Sequence, residues 1–282
     1  MSEYKLEDAE TVTLADATKI IGLDANGVPC WIDPSSLAQG GFKAWLDTHS
    51  DIVNYWWPDK SDVGYLAKSG RRCTDFNSTD TPILVEKEGV RVYAALNTTN
   101  ENLIFQSLQT DQISVERSEI GIFYIDPAIS PATDDRSELM YCASNGNFQG
   151  MFILHTNDQY SKWTIGSYCY PYNSVPVSAQ FGTDDLLGGW VMVHAKTTMD
   201  RVNTTVRIEI TVSNATQSGL RYGSGENTNV TAFRITPTTI GVASTYAGSA
   251  ILPAFYAKSR VPLTEVEADD IFNRFKAGYG IA

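Results

Sequence analysis

Between residues 50 and 260 the apolar positions of the chain recur every second residue, in short runs separated by polar turns. Residues 204–212 show the alternation most cleanly. Val206, Ile208, Ile210 and Val212 fall on one face, and Arg207, Glu209 and Thr211 on the other. Further strands are predicted at 54–58, 89–96, 120–125, 150–155, 163–168, 189–195, 232–235, 239–242 and 254–257. Gly, Asn and Asp punctuate the gaps between them. No helical period competes in this region. Many short strands at regular spacing predict a mainly β fold, an antiparallel β-sandwich or jelly roll.

The two ends of the chain break the pattern. Near the C-terminus, Thr264 and Glu267 have the spacing of a capping box, in which each side chain bonds the other residue's backbone N–H. Ala268, Ile271, Phe272 and Phe275 follow on one helical face. Pro262 precedes this short helix, and Gly278 is read as following its last turn. At the other end, runs at 18–23 and 28–32 flank Asp24-Ala25-Asn26-Gly27, whose Asn-Gly pair tolerates positive φ, so a hairpin is predicted. Pro29 places the second strand at an edge, because it donates no ladder hydrogen bond.

Asp33 and Pro34 suit an N-cap and first helical position, predicting a single turn through Leu37. Gln39-Gly40-Gly41 is the clearest hinge, and residues 42–46 are read as a helical turn between two parts. The expected organisation is a small N-terminal module (1–40), a linker (41–53) and a large sandwich (54–282). A module this small, without disulfides, buries too little surface to be stable alone and needs a partner.

Composition narrows the partners. The 282 residues carry a formal charge of −12, with 19% charged and 11% aromatic residues. Nucleic acid and anionic lipid both require a dense Lys/Arg face, so neither is expected, and the acidity reads as solubility. Residues 1–8 lack a positive start and an apolar core, so no secretory signal is expected. No apolar run approaches the roughly 18 residues of a membrane helix. Cys30, Cys73, Cys142 and Cys169 are widely spaced with no His at ligand spacing, which reads as free thiols rather than a zinc site.

The stretch from Ile240 through Phe255 and Pro262-Leu263-Thr264 to Glu267 and Phe272 resembles the closing segment of concanavalin A-like (laminin G-like) domains. The Trp190 strand followed by residues 206–212 resembles their central hairpin, with Ser213-Asn214-Ala215 in place of the usual N-G turn. The N-terminal run from Leu14 through Ile20-Ile21-Gly22-Leu23 and Val28 to Trp31-Ile32 and Leu37 resembles a small attachment module of tailed-phage fibre and appendage proteins. These resemblances imply a virion structural protein, made in the host cytoplasm. Ile20, Ile21, Leu23, Val28, Trp31 and Ile32 would then mediate assembly with other virion proteins or subunits, commonly as a homotrimer, while the sandwich faces outward as a lectin-like adhesin. Capsid decoration is the architectural alternative, and a glycan hydrolase the enzymatic one.

Candidate chemistry is sparse. Glycan hydrolysis uses paired carboxylates in one cleft. Glu209 stands alone on its strand, and Glu116 and Glu119 have the wrong spacing for a shared face. No G-x-S-x-G elbow is present, and His49, His155 and His194 are scattered. The chain is therefore read as a non-enzyme without a resident cofactor. Laminin G-like relatives often hold Ca²⁺ with loop carboxylates, which makes Asp134, Asp135, Asp184 and Asp185 the candidate metal ligands. Trp163, Tyr168, Tyr170, Tyr172 and Asn173 form the stretch richest in aromatic planes and amide groups, and are the candidate glycan contacts.

Overall fold

A computed structural model describes residues 20–23, 29–32, 34–56, 83–94, 102–105, 116–125, 136–144, 147–157, 162–169, 177–182, 189–228, 239–243 and 251–281, several of these strands by backbone alone. In chain order the elements begin with β1 (Ile20–Leu23), β2 (Pro29–Ile32), α1 (Pro34–Thr48), β3 (Ile52–Trp56), β4 (Ile83–Lys87), β5 (Val90–Ala94) and β6 (Asn102–Phe105). There follow β7 (Arg117–Ile125), β8 (Arg136–Ser144), β9 (Asn147–Asn157), β10 (Lys162–Cys169) and β11 (Val177–Gly182). The chain closes with β12 (Gly189–Asp200), β13 (Thr205–Asn214), β14 (Arg221–Asn227), β15 (Thr239–Ala243), β16 (Ile251–Ser259) and α2 (Glu265–Tyr279).

Two six-stranded sheets make the body of the fold among these elements. One has the order β14-β13-β12-β7-β16-β3, the other β11-β10-β9-β8-β15-β6, and every pairing is antiparallel. Between neighbouring β7 and β12 the chain leaves the first sheet to lay down β8 to β11 as a meander in the second. The edge strands β11 and β14 approach each other and close one side. The mainly β, antiparallel sandwich read from the sequence is the observed fold.

Five described strands carry too little alternation to be predicted: β4, β6, β8, β11 and β14. The reason is visible in β14, Arg-Tyr-Gly-Ser-Gly-Glu-Asn, which has one large apolar side chain. The segment predicted at 232–235 lies outside the described residues.

The first sheet has two unlike faces. On one, Ile120, Ile122, Trp190, Met192, Phe255 and Ala257 join Phe42 and Leu46 of α1 and Ala268, Ile271, Phe272 and Phe275 of α2 in a single apolar cluster. Strand parity turns Phe123, Ile125, Val191, Val193, Ile208, Ile210 and Val212, all buried, to the other face. A buried charged group shares that face. Glu119 accepts from the Tyr256 hydroxyl at 3.1 Å and lies 3.5 Å from Lys258 Nζ and 3.8 Å from Arg117 Nε.

The helices correct two expectations. α1 runs unbroken through Gln39-Gly40-Gly41, where a hinge was predicted, and absorbs both the single turn ending at Leu37 and the turn at 42–46. Glycine costs a helix about 1 kcal/mol relative to alanine. Burial of Phe42 and Leu46 against the sheet, with Phe42 packed at 5.5 Å from the Phe255 ring centroid, offsets that cost. α2 has the predicted capping box: Thr264 N donates to Glu267 Oε2 at 2.7 Å, and Glu267 N to Thr264 Oγ1 at 3.3 Å. Its end is not at Gly278, which is buried inside the helix, but at Gly280, in the left-handed region with φ 68°. There Ile281 N donates to Lys276 O at 3.0 Å, as a left-handed cap requires.

The predicted N-terminal hairpin is present, with Ile20 opposite Ile32, Ile21 opposite Trp31 and Leu23 opposite Pro29. Among the described residues no helix is long and apolar enough to cross a membrane.

Candidate functional site

The helix-covered face of the first sheet passes from buried to open along a single strand. On β13, Ser213 and Thr211 are buried beside α2, the Glu209 side chain is 17% exposed, and that of Arg207 is 44% exposed. Two polar constellations lie along this gradient.

The first is under the start of α2. Ser118 Oγ and His194 Nε2 are 2.8 Å apart, and His194 Nδ1 lies 3.4 Å from Glu265 Oε2. Ser118 Oγ also accepts from the Leu263 amide at 2.9 Å, and Ser118 N donates to Ser259 Oγ at 3.1 Å. The Ser118 hydroxyl thus meets the Leu263 amide and the imidazole at once, and the other ring nitrogen faces Glu265. Ser, His and carboxylate in this order are the parts of an acyl-transfer triad. Ser118 and His194 are both 0% exposed, however, and the hydroxyl that would attack is held by a backbone amide. The hydroxyl and imidazole are sealed while Glu265 stays partly exposed, and the group ties β7, β12 and the entry to α2 together. Burial pushes the Glu265 carboxyl up, but hydrogen bonding and charge from His194, with help from Thr211 and Lys196, hold it below its ordinary range.

The second constellation is at the open end. Lys196 on β12 lies opposite Glu209 on β13, and Arg207 lies opposite Glu226 on β14. Glu209 Oε2 is 2.7 Å from Lys196 Nζ, and its Oε1 accepts from Arg207 Nη2 at 3.2 Å and from the Tyr222 hydroxyl at 2.6 Å. Arg207 Nη1 donates to Glu226 Oε1 at 3.1 Å, and Nη2 to the Tyr222 oxygen at 3.3 Å. Partial burial raises the Glu209 pKa, but the bonds from Lys196 and Tyr222 and the charges of Lys196 and Arg207 outweigh it and bring the carboxyl down to about 2. The residue read as solitary on its strand is thus the hub of a cross-strand network. Sequence reasoning missed this because the partners sit on three strands, one of them unpredicted.

The turns at the two ends of β13 are fixed by their own side chains, the β12–β13 turn at the open end and the β13–β14 connection at the covered one. Asp200 Oδ1 accepts from Val202 N at 2.9 Å and Asn203 N at 3.1 Å, closing the β12–β13 turn. Asn214 Oδ1 accepts from Thr216 N at 3.0 Å and Gln217 N at 2.7 Å in the β13–β14 connection. α2 holds that connection from above: Ser218 donates to Asp269, and Lys276 Nζ donates to Ala215 O at 2.9 Å.

Of the residues singled out for glycan contact, Trp163 and Tyr168 lie on the backbone of β10. Tyr170, Tyr172 and Asn173 lie outside the described residues, as do the proposed metal ligands Asp134, Asp135, Asp184 and Asp185 and the assembly residue Val28. His155 is on β9, and His194, on β12, is wholly buried.

No family model matches the chain, and no curated protein sequence does. Solved structures do. The binding domain of Paraclostridial mosquitocidal protein 1 is similar at TM-score 0.54 and 10% identity, over 82% of this chain and 53% of that one. The binding domain of botulinum neurotoxin serotype D is similar at TM-score 0.51 and 10% identity, over 84% and 52% respectively. A sialidase from Trypanosoma rangeli reaches TM-score 0.49 at 9% identity, covering 90% of this chain and 42% of that one. The chain spans about half the length, or less, of these proteins. At such identities the two binding domains establish a shared sandwich architecture.

Proposed function

We propose that the chain is an adhesion subunit of a phage-type appendage, in which residues 1–40 attach or oligomerise and the sandwich presents a non-catalytic, lectin-like surface to host glycans. The observation that supports this reading best is the two-sheet sandwich, an architecture shared with two domains whose function is binding. The resemblance of the N-terminal run to phage attachment modules supplies the virion half of the reading. Trimeric display would multiply weak single sites into useful avidity.

The buried Ser118 hydroxyl favours adhesion over acyl transfer, since no substrate reaches a hydroxyl with no exposed surface. No resident cofactor is invoked, and Ca²⁺ bound by Asp134, Asp135, Asp184 or Asp185 belongs to the proposal as a rim ligand only.

A glycan array probed with the full chain tests the adhesion half, with selective binding expected and uniform absence favouring an architectural role. Solution mass of the full chain and of a chain lacking residues 1–40 tests the assembly half. An oligomer that becomes a monomer is expected, and two monomers would remove the assembly role. Release of soluble product from bacterial surface polysaccharide would overturn the non-enzymatic reading.

A further inference from the structure

We propose that the Tyr222 face of the β13–β14 hairpin is a binding subsite for a neutral saccharide bearing vicinal hydroxyl groups, an assignment that rests on the adhesion reading above. Tyr222 is the one exposed aromatic ring among the residues whose side chains the structure describes, at 55%. An exposed ring offers an apolar plane against which the C–H face of a sugar can lie. Most exposed tyrosines would have to be ordered on binding. This one is already held, with its hydroxyl donating to Glu209 at 2.6 Å and accepting from Arg207 at 3.3 Å. The ordering cost is therefore met before a ligand arrives.

The polar groups beside the ring suit a diol. Arg207 and Glu226 are 3.1 Å apart and both reach solvent, at 44% and 52%. Their mutual bond uses Nη1 and Oε1, while Nε–H of Arg207 and Oε2 of Glu226 remain outside the network. One sugar hydroxyl can accept from the guanidinium while its neighbour donates to the carboxylate, which neither charge could satisfy alone. Ser224, small and exposed, lies between Tyr222 and Glu226 on the same face of β14, so a ring laid on Tyr222 meets a low spot instead of a third bulky side chain.

Charge decides the class of sugar. Lys196 and Arg207 are balanced by Glu209 and Glu226, so the patch holds no excess positive charge for a sulfate or a sialic acid carboxylate. The bland alternative is a decorative ion-pair network, but exposed pairs of this kind contribute little stability.

The test uses the full chain on an array of immobilised neutral hexose and N-acetylhexosamine polymers alongside sialylated and sulfated glycans. Tyr222→Ala, Arg207→Ala and Glu226→Gln are compared with Trp163→Ala and Tyr168→Ala, with circular dichroism and melting to confirm folding, and Tyr222→Phe as the variant that keeps the ring. Binding to neutral glycans that falls about tenfold in Tyr222→Ala and Arg207→Ala, is largely kept in Tyr222→Phe and is unchanged in Trp163→Ala supports the subsite. Binding that is lost only in Trp163→Ala or Tyr168→Ala overturns the subsite and spares the adhesion reading. Binding confined to sialylated or sulfated glycans overturns the neutral class. No binding to any glycan overturns the adhesion reading and the subsite with it.

Discussion

The two ends of one sheet face carry polar groups of nearly the same kind, and the helix above decides what each can do. Under α2, Ser118, His194 and Glu265 have catalytic-looking geometry, but the hydroxyl and the imidazole have no exposed surface and only the Glu265 carboxylate reaches solvent. Beyond the helix, Lys196, Arg207, Glu209, Tyr222 and Glu226 have no catalytic arrangement and open onto solvent. Both ends are built on neighbouring strands, and β13 passes from one to the other within seven residues, Ser213 to Arg207. Buried polar groups must be satisfied or they cost stability, so hydrogen bonding at the covered end serves the fold. At the open end water competes for every pair, and the same bonds serve to hold side chains in place. Geometry alone would assign catalysis to a hydroxyl with no exposed surface.

Several substitutions would break or sharpen this contrast. Phe275→Ala should cost the most, about 3–5 kcal/mol. Its ring meets those of Phe42, Phe255, Trp190 and Tyr279 with centroids 6.4, 6.1, 5.5 and 4.9 Å away. Urea denaturation would read the loss, and a value below that of an exposed substitution would contradict the covered-end packing. Ser118→Ala should cost about 1–3 kcal/mol, since it strands the Leu263 amide and a ring nitrogen of buried His194. It should leave any glycan binding unchanged.

Thr264→Ala removes the cap of α2 and should cost roughly 1 kcal/mol in the same assay. Gly41→Ala has the opposite sign. A Cβ there meets nothing within 4 Å in a helical backbone, so a gain of about 0.5–1 kcal/mol is expected. A loss would restore the hinge.

The open end has a pH signature. Glu209 is held down to about 2 from an ordinary value of 4.5, so its folded pKa is depressed. Its contribution is therefore complete above about pH 4.5 and is lost as pH falls toward 2. The stability gap between the native chain and Glu209→Gln should accordingly shrink across that interval. A gap that stays flat would show the network to be absent in solution.

Much of the fold was legible in the sequence, for local reasons. Residues 206–212 alternate because one face of β13 is wholly buried among apolar side chains while the other carries polar groups that open to solvent toward Arg207, and Thr264 with Glu267 marks the helix start because both halves of the cap lie within four residues. The α1 helix was obscured by Gly40 and Gly41, whose weak propensity is overridden by tertiary burial of Phe42 and Leu46. The two polar constellations were not legible at all. Ser118, His194 and Glu265 come from three elements, and Tyr222 belongs to a glycine-rich strand with no alternating signal. Pairing across strands creates both, and no spacing along the chain records it.

Covered polar groups maintain the fold, and the open ones are those proposed to meet a ligand. Measuring urea stability and binding to immobilised neutral glycans side by side for Ser118→Ala and Tyr222→Ala in the full chain tests this division most directly. A crossed result is expected: Ser118→Ala loses stability and keeps binding, and Tyr222→Ala keeps stability and loses binding. Loss of binding in Ser118→Ala at full stability, with Tyr222→Ala indistinguishable from the native chain, would contradict it.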